Sequence, residues 1–287
     1  MNDNDLYTSV YRDRYYTNGL FLNIRMLSKN NSNNTKTKKI HSLSLGHMMY
    51  TPKKTTIAIA SLHDRPFAGY LFTRYKQDRY YKNQHIFTFD VEVGIIGEAA
   101  RAKELQDFIH SIYDYPKVEG WKHQIKNAFG LNASASFLNY FSKISNSTLD
   151  ISSLSSLKAG TIFTGISTGF YSRFGLKKLQ HFSNSIAFNA ALSNSEAKKS
   201  ESFFFLKPML HYTLYDATIQ GSFLNTGSTV TYELAPIYFS FELGYMYTSG
   251  KRFNYGYTYH FHTKKLKSTN VTNTNSYGSI FIGYNFN

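Results

Sequence analysis

Cysteine is absent from this chain of 287 residues, and proline and tryptophan are scarce, with 5 Pro and 1 Trp. Without cysteine there is no disulfide framework and no thiolate metal site. The absence suits an exported protein, which must not form incorrect disulfides in an oxidising compartment. All-β barrels of this length are routinely single units. Because no repeat or linker interrupts the chain, we expect one domain over residues 1–287.

Long apolar segments are also missing. No apolar run approaches the roughly 20 residues of a transmembrane helix. The N-terminus lacks the apolar core of a secretory signal, because Met1 is followed by polar and acidic residues. If the protein is exported, we expect its signal peptide to have been removed already. The mean hydropathy of -0.37 is low, but it is compatible with a β-barrel whose strands are apolar on one face only.

The charge is strongly basic, with 32 Lys and Arg against 18 Asp and Glu and a net charge of +14. Such a surface attracts nucleic acid or acidic lipid. The basic residues fall in short polar loops such as 36–39, 198–199 and 264–267. Nucleic-acid binding needs them clustered on a helix or beside stacking aromatics. We therefore expect no nucleic-acid partner and favour a phosphate-rich lipid surface.

Alternating apolar and polar residues dominate the rest of the chain. Residues 86–95, 237–247 and 278–286 each place their apolar side chains on one face, because successive strand residues point to opposite faces. A soluble sandwich also alternates. These segments, however, approach the roughly 9–11 residues that cross a bilayer, and Tyr and Phe crowd their ends as interfacial girdles do.

The pattern predicts an all-β fold, an antiparallel transmembrane β-barrel in the outer membrane. We expect about ten to fourteen strands and favour twelve, since bacterial single-chain barrels have even strand numbers. The chain closes on an aromatic amphipathic strand that resembles the assembly signal of outer-membrane proteins. Residues 98–113 break the pattern, because Leu105, Phe108, Ile109 and Ile112 recur at helical spacing. This segment predicts one short helix in a loop.

That helix carries His110, a candidate general base. Gln106, Asp107 and Asp114 lie one turn away, so a carboxylate is positioned to fix the imidazole tautomer. An exposed helix histidine with no function is the alternative. Imidazole alone is weak evidence here, because the chain has 10 His.

Two further candidates lie near the start of the chain. In the strand over residues 15–27, Thr17 has the parity opposite to the apolar face, so it is expected to face the lumen or the rim. An ordinary β-branched strand residue is the alternative. Asn4 and Asp5 are adjacent oxygen donors of the kind that bind Ca²⁺, although such a pair usually forms a turn. No serine-nucleophile, zinc-protease or phosphate-loop motif occurs.

Several short motifs occur in one order over the N-terminal half. They are Asn4-Asp5, Asp13-Arg14-Tyr15-Tyr16-Thr17-Asn18-Gly19-Leu20, Tyr50-Thr51-Pro52, Asp64-Arg65-Pro66-Phe67-Ala68-Gly69 and Gly94-Ile95-Ile96-Gly97, followed by His110, Pro116, Gly120-Trp121 and Gln124. With this set the chain resembles the lipid A 3′-O-deacylase family, the LpxR type. The second half resembles that family only as barrel sequence.

The resemblance implies a twelve-stranded barrel in the outer membrane of a Gram-negative bacterium. It implies hydrolysis of a carboxylic ester, removal of the 3′-linked acyloxyacyl group from lipid A, and dependence on Ca²⁺. His110 is then the general base that activates water, Asn4 and Asp5 organise the site around the metal, and Thr17 contributes its hydroxyl. The partners implied are lipopolysaccharide and outer-membrane lipids, and we expect a monomer.

Two positions of the family pattern are harder to assign to residues of this sequence. The family uses a lysine after its Tyr-x-Pro motif, which is Lys53 or Lys54 here, and we choose Lys54. A glutamate that some members place six residues beyond the histidine falls at Pro116. Asp114 or Glu119 is the possible substitute, or the metal shell differs.

Three function classes are open at this stage. The first is a lipid A hydrolase that uses a His-activated water with cation-assisted stabilisation of the oxyanion. The second is a non-catalytic barrel, either a small porin or an adhesin. The third is an outer-membrane phospholipase. Only the first class requires Asn4, Asp5, Thr17 and His110 to meet, so convergence of these side chains is the prediction that separates the classes.

Overall fold

The computed structural model describes residues 1–8, 14–28, 36–56, 58–192, 199–250 and 252–286. The strands in these ranges are β1 Asn2–Asn4, β2 Tyr15–Leu27, β3 Lys36–Thr51, β4 Ala68–Tyr81, β5 Ile86–Ile96, β6 Ala128–Tyr140, β7 Leu149–Gly160, β8 Phe163–Gly175, β9 Glu201–Asp216, β10 Ile237–Thr248, β11 Phe253–Thr263 and β12 Thr274–Tyr284. Each strand pairs antiparallel with its sequence neighbours, and β1 pairs with β12 to close the barrel. The predicted fold class is confirmed.

Strand β2 shows why this sequence forms a barrel with an apolar exterior. Its predicted bounds are confirmed, and Leu22 and Ile24 on its outer face are 63% and 64% exposed. Asn23, between them, faces the lumen and accepts a hydrogen bond from Ser44 Oγ at 2.6 Å. Large apolar side chains exposed in a continuous band are stable against lipid rather than water.

The lumen is crossed by charged side chains that pair between strands. Glu92 on β5 accepts hydrogen bonds from Arg74 on β4 and, at 3.1 Å, from Asn132 on β6. On β10, Glu242 accepts a hydrogen bond from Lys207 of β9 at 2.9 Å. Buried charges are tolerated where they are paired in this way.

One end of the lumen is closed by the connection between β8 and β9. From residues 179–192 of this connection, Phe182, Ile186 and Ala190 pack inside the barrel in an apolar cluster. Lys38 on β3 donates hydrogen bonds to the carbonyls of Ser183 at 2.9 Å and Ala190 at 2.7 Å. We call residues 179–192 the plug and this end of the barrel the turn end.

The opposite end, the helix end, carries the connections 52–67, 97–127, 217–236 and 264–273. Helix α1 spans Ala102–Tyr113 and follows a 3-10 turn, Glu98–Ala100. A continuous helix was expected over 98–113, but Arg101 between the two has a φ of 59°. A short helix α2, Ala217–Gln220, follows β9. In the described ranges, no helix is long and apolar enough to cross a membrane.

The seam of the barrel is narrow. β1 matches β2 over three residues and β12 over three residues. The last strand ends at Tyr284, so the expectation of a strand reaching Phe286 is wrong at its final two residues. Ile280 and Ile282 lie on the lipid-facing side as predicted, at 39% and 60% exposure.

Candidate active site

Thr17 sits at an irregularity in β2. Tyr16 pairs with Tyr50 and Asn18 pairs with Met49, which leaves Thr17 as an extra residue in the ladder. Such a bulge reverses the alternation of the strand beyond it. Tyr16 therefore takes the lumen side, where its hydroxyl donates a hydrogen bond to Asp3 Oδ2 at 2.8 Å.

The side chain of Thr17 consequently lies on the outer side of the wall. Its hydroxyl is 2.6 Å from the hydroxyl of Thr51, which shares the outward parity of Met49 and Leu45 on β3. The expectation that Thr17 faces the lumen is wrong, because the extra residue shifts the parity. The other expectation, a position at the rim, is correct, since Thr17 is the third residue of its strand.

Four residues in register continue this outer surface across the strands. Asn4 pairs with Asn18, Asn18 with Met49, and Met49 with Gly69. Residues directly opposite in a sheet project to the same face. At about 4.8 Å for each strand step, Asn4 is roughly 14 Å from Gly69. We call this set the outer row.

Helix α1 is seated at the far end of the outer row. A Cβ atom on Gly69 would lie 2.5 Å from Cβ of Ala102, so only glycine allows the helix to approach so closely. His47, two residues before Met49 on the same face, donates from Nε2 to the carbonyl of Ala100 at 2.9 Å. The helix that carries His110 thus lies against the outside of the barrel wall.

A small core locks the helix in place. Met49, Phe67, Ala102, Val118 and Trp121 are buried together between the wall and residues 115–127. Trp121, the only tryptophan, is sealed from solvent. The barrel wall, α1 and the segment after it therefore form one packed unit.

Gln106 joins this core to the polar site. Its Oε1 accepts a hydrogen bond from Trp121 Nε1 at 2.6 Å. Its Nε2 is buried and has no hydrogen-bond partner among the described residues. A buried amide hydrogen without an acceptor is uncommon in a folded protein. Gln106 and His110 are one helical turn apart and so share a side of α1.

His110 is oriented by the backbone. Its Nδ1 is 2.8 Å from the carbonyl oxygen of Pro116. A carbonyl only accepts hydrogen bonds, so Nδ1 carries the proton, and the neutral ring has its lone pair on Nε2. At Nδ1 this carbonyl takes the place that was expected of a carboxylate, and Asp107 pairs instead with Lys103 at 2.5 Å.

The carbonyl of Pro116 thus supplies an acceptor at the position where the family resemblance led us to expect a glutamate. His110 also lines a polar pocket of about 1010 Å³ between α1 and residues 115–127. At the start of the helix, Arg101 donates a hydrogen bond to Glu104 at 2.6 Å and holds the pKa of that carboxyl below its ordinary value.

Asn4 and Asp5 lie at the other end of the outer row. Asn4 Oδ1 accepts a hydrogen bond from the backbone N–H of Leu6 at 2.8 Å and begins a 3-10 turn, Asp5–Tyr7. Asp5 is buried, and its Oδ2 accepts from the N–H of Arg14 at 2.7 Å. The turn expected of this pair is present.

A calcium ion is compatible with this pair in its chemistry. One carboxylate and one amide oxygen on consecutive residues are hard donors, and Ca²⁺ fills its remaining positions with carbonyls and water. Within the described ranges, no group of three or more His, Asp or Glu side chains forms a metal cluster. A cation at this pair would therefore take most of its ligands from backbone carbonyls and water.

Asp64 positions the neighbouring loop. Its Oδ1 accepts a hydrogen bond from Lys53 N, and its Oδ2 accepts one from the Tyr15 hydroxyl, both at 2.9 Å. Tyr15 has a φ of 69°, which is strained for a non-glycine residue and needs such anchoring. Lys53 and Lys54 are exposed. Lys54 makes no side-chain hydrogen bond or ion pair in the described part of the chain.

The predicted residues fall into two groups on one surface. Asn4, Asp5 and Thr17 belong to the first hairpin, and His110 belongs to the helix seated beside it. Within the described ranges, Asp5 accepts a hydrogen bond from the N–H of Arg14, and His110 donates one to the carbonyl of Pro116. Direct convergence of His110 with the hairpin side chains stays a prediction, and Asp13 of the hairpin motif lies outside the described residues.

Sequence reasoning did not assign roles to Gln106, Met49, Thr51 or the carbonyl of Pro116. Spacing of one helical turn from His110 was the available signal for Gln106. The contribution of Pro116 is a backbone atom and leaves no side-chain signal. The positions of Met49 and Thr51 beside Thr17 depend on the bulge in β2. The bulge adds one residue without altering the apolar pattern, so nothing in the sequence indicated it.

Comparison with known proteins gives two matches. The chain matches the family model for the outer membrane protein LpxR over residues 1–286. Among solved structures, LpxR from Salmonella typhimurium has a TM-score of 0.79 at 17% sequence identity, covering 99% of this chain and 98% of that chain. At that identity the likeness shows the fold. No curated protein matches the sequence.

Proposed function

Since the chain belongs to the outer membrane protein LpxR family, we propose that it is a lipid A 3′-O-deacylase acting at the outer leaflet. The observation that carries the proposal is the seating of α1 against the outer wall at Gly69. This seating supports a position of His110 on the outer side of the wall, near the outer row that begins at Asn4. An acylated substrate reaches such a site laterally, without leaving the bilayer.

The proposed reaction is hydrolysis of one ester bond. Nε2 of His110 removes a proton from water, and the resulting hydroxide attacks the ester carbonyl carbon. The tetrahedral intermediate collapses with cleavage of the bond to the sugar oxygen. The imidazolium returns its proton to that oxygen, so a carboxylic acid and a free sugar hydroxyl leave. The Pro116 carbonyl accepts the Nδ1 hydrogen bond before and after the transfer, so that Nε2 is the atom that gains and returns the proton.

Polar groups of the first hairpin complete the proposal. Asn4 and Asp5 would hold a Ca²⁺ ion, which supplies positive charge for the carbonyl oxygen when bound. Thr17 offers its hydroxyl beside the outer row, paired with Thr51. Lys54 is exposed on the loop anchored by Asp64, where its charge suits a lipid phosphate.

A passive pore is disfavoured by the plug. Phe182 and Ile186 fill the lumen at the turn end, and Lys38 ties the plug to β3. A porin needs an open aqueous channel. This leaves a lipid hydrolase with a different substrate as the main rival, and the experiment below distinguishes it.

The decisive test is mass spectrometry of lipid A and phospholipids from cells with and without the protein. We expect lipid A to lose the mass of an acyloxyacyl group while phospholipids are unchanged. His110→Ala should abolish the loss while the barrel keeps its heat-modifiable mobility on gels. Loss of acyl chains from phospholipid alone would make the protein a phospholipase, and full activity of the variant would remove His110 from the mechanism.

The calcium proposal has its own measurement. We expect EGTA to suppress deacylation by the purified enzyme and added Ca²⁺ to restore it, whereas Asp5→Asn should raise the Ca²⁺ concentration required. Deacylation at an unchanged rate in EGTA would remove the ion from the account and leave the family assignment intact.

A further inference from the structure

A second cavity lies inside the lumen at the helix end, on the opposite side of the wall from the candidate active site. Its volume is about 390 Å³. Its roof is an apolar cluster of Ile219, Leu234 and Leu266, contributed by two connections of the helix end. A β-bridge joins Leu234 to Leu266. The cavity is thus a chamber between the lumen wall and a cap.

Aromatic and cationic side chains line this chamber. The tyrosines are Tyr15, Tyr16, Tyr50, Tyr215, Tyr238 and Tyr277. The cations are Arg65, Lys158, Lys264 and Lys265, against one carboxylate, Asp216. Lys158 lies 3.6 Å from Glu92. In the part of the chain that the structure describes, Lys264 and Lys265 form no ion pair, so the lining carries a positive excess.

Arg65 is the most informative of these cations. It is 6% exposed, donates to the carbonyl of Tyr15 at 3.2 Å and to Thr218 Oγ1 at 3.0 Å, and stacks 4.5 Å from the Tyr50 ring. Its Nε has no hydrogen-bond partner, and no carboxylate pairs with it among the described residues. Asp216 and Asp64 attract the guanidinium without forming an ion pair with it, so its Nε–H is left to bond an anion that comes from outside the chain.

Asn275 provides an independent observation in the same wall. This residue of β12 has the lumen parity of Tyr277 and is 3% exposed. Neither its Nδ2 nor its Oδ1 has a hydrogen-bond partner among the described residues. A buried amide that leaves both atoms unbonded is costly, and such groups mark sites where a ligand or ordered water completes the network.

We propose that the chamber binds a soluble phosphorylated sugar. Arg65, Lys264 and Lys265 suit the phosphate, since charge-assisted hydrogen bonds to phosphate are strong. The tyrosines offer ring faces and hydroxyls to a sugar. The volume lies in the range of about 300–1,000 Å³ that is typical of small-molecule sites. A lipid headgroup is the less suitable occupant, because the chamber is inside the wall and capped.

Titration calorimetry on the detergent-solubilised barrel tests the proposal with three probes: glucose 6-phosphate, inorganic phosphate and glucose. We expect glucose 6-phosphate to bind most tightly and glucose to show no binding. Lys265→Met should weaken glucose 6-phosphate by about tenfold or more, as loss of a charged hydrogen bond does. Lys267→Met, which removes the same charge two residues away outside the lining, should leave binding unchanged.

Asn275→Leu separates a binding role from a structural one. Replacing an unbonded buried amide by an apolar side chain of similar size should leave the unfolding temperature unchanged or higher. If the amide serves a ligand, glucose 6-phosphate binding nevertheless weakens about tenfold. Unchanged binding in this variant, or equal weakening by Lys265→Met and Lys267→Met, would overturn the proposal.

A competition experiment with a phospholipid identifies the source of the phosphate. Phosphatidylglycerol added to the micelles should not displace glucose 6-phosphate. Displacement that is lost in Lys265→Met would overturn the assignment to a soluble ligand. Because each measurement is of binding, the outcome does not depend on whether the protein is a deacylase.

Discussion

Two buried polar regions of this barrel differ in how completely their hydrogen bonds are satisfied. At the turn end, all three guanidinium nitrogens of Arg173 donate hydrogen bonds, with Asp150, Glu201 and Ser185 among the acceptors. At the helix end, Gln106, Arg65 and Asn275 each keep a buried polar atom with no partner among the described residues. The hydrogen bonds of the Arg173 guanidinium are complete without a ligand, whereas those of the three groups at the helix end are not.

The difference indicates where function resides. A satisfied network in the lumen holds strands together and fixes one packing arrangement. Unsatisfied groups persist where something other than the protein provides the partner. We therefore expect substitutions at the turn end to change stability, and substitutions at the helix end to change activity or ligand binding.

Arg173→Met should have the largest effect. It leaves Asp150 and Glu201 buried without their cation, which costs about 3–5 kcal/mol of unfolding free energy. Urea unfolding in detergent measures the loss, and the specific activity of the folded fraction should be unchanged. A variant as stable as the parent, or one that is stable but inactive, would break the comparison between the two regions.

Gly69→Leu should have the second largest effect, a loss of activity. The added side chain collides with Ala102 and displaces α1 from the wall. A shift of about 1 Å in a catalytic group costs on the order of 100-fold in turnover. The lipid A deacylation rate measures the effect, and urea unfolding measures how much stability is lost with the packing around Ala102. Thr73→Leu, which also faces outward on β4, serves as the matched control and should retain activity.

The smallest expected effect tests whether the Thr17 hydroxyl on the outer wall takes part in the reaction. Thr17→Val and Thr51→Val remove the same hydrogen bond from opposite sides, so their effects on stability should match. If only the Thr17 hydroxyl contributes to the reaction, deacylation falls about tenfold in Thr17→Val, equivalent to about 1.4 kcal/mol, and less in Thr51→Val. Equal rates for the two variants would reduce Thr17 to a structural role.

Much of the barrel could be predicted from the sequence, because each strand alternates strictly and a one-residue error exposes the wrong face to lipid. The bounds of β2 and the lipid-facing positions of Leu22 and Ile24 follow from this rule. The rule fails at Thr17, because a bulge adds a residue without a compositional trace. It also says nothing of the plug, whose apolar residues resemble those of any loop that packs on a core.

The candidate site was predictable by residue type and not by geometry. His110 and its helix were identified from spacing and from the family resemblance. The seating of the helix outside the wall depends on Gly69. In the sequence this residue is only one glycine among 18, so the seating could not be predicted from it. His110 Nδ1 donates to the carbonyl of Pro116. Every residue has a backbone carbonyl, so no sequence motif could predict this contact.

The narrow seam determines at which stage of barrel assembly the candidate active site can form. β1 is held by three residues on each side, and it carries Asn4, with Asp5 directly behind it. Any intermediate whose first and last strands have not met lacks an ordered place for these oxygens. On the proposed mechanism, deacylation therefore begins only after the first and last strands have paired and the barrel has closed.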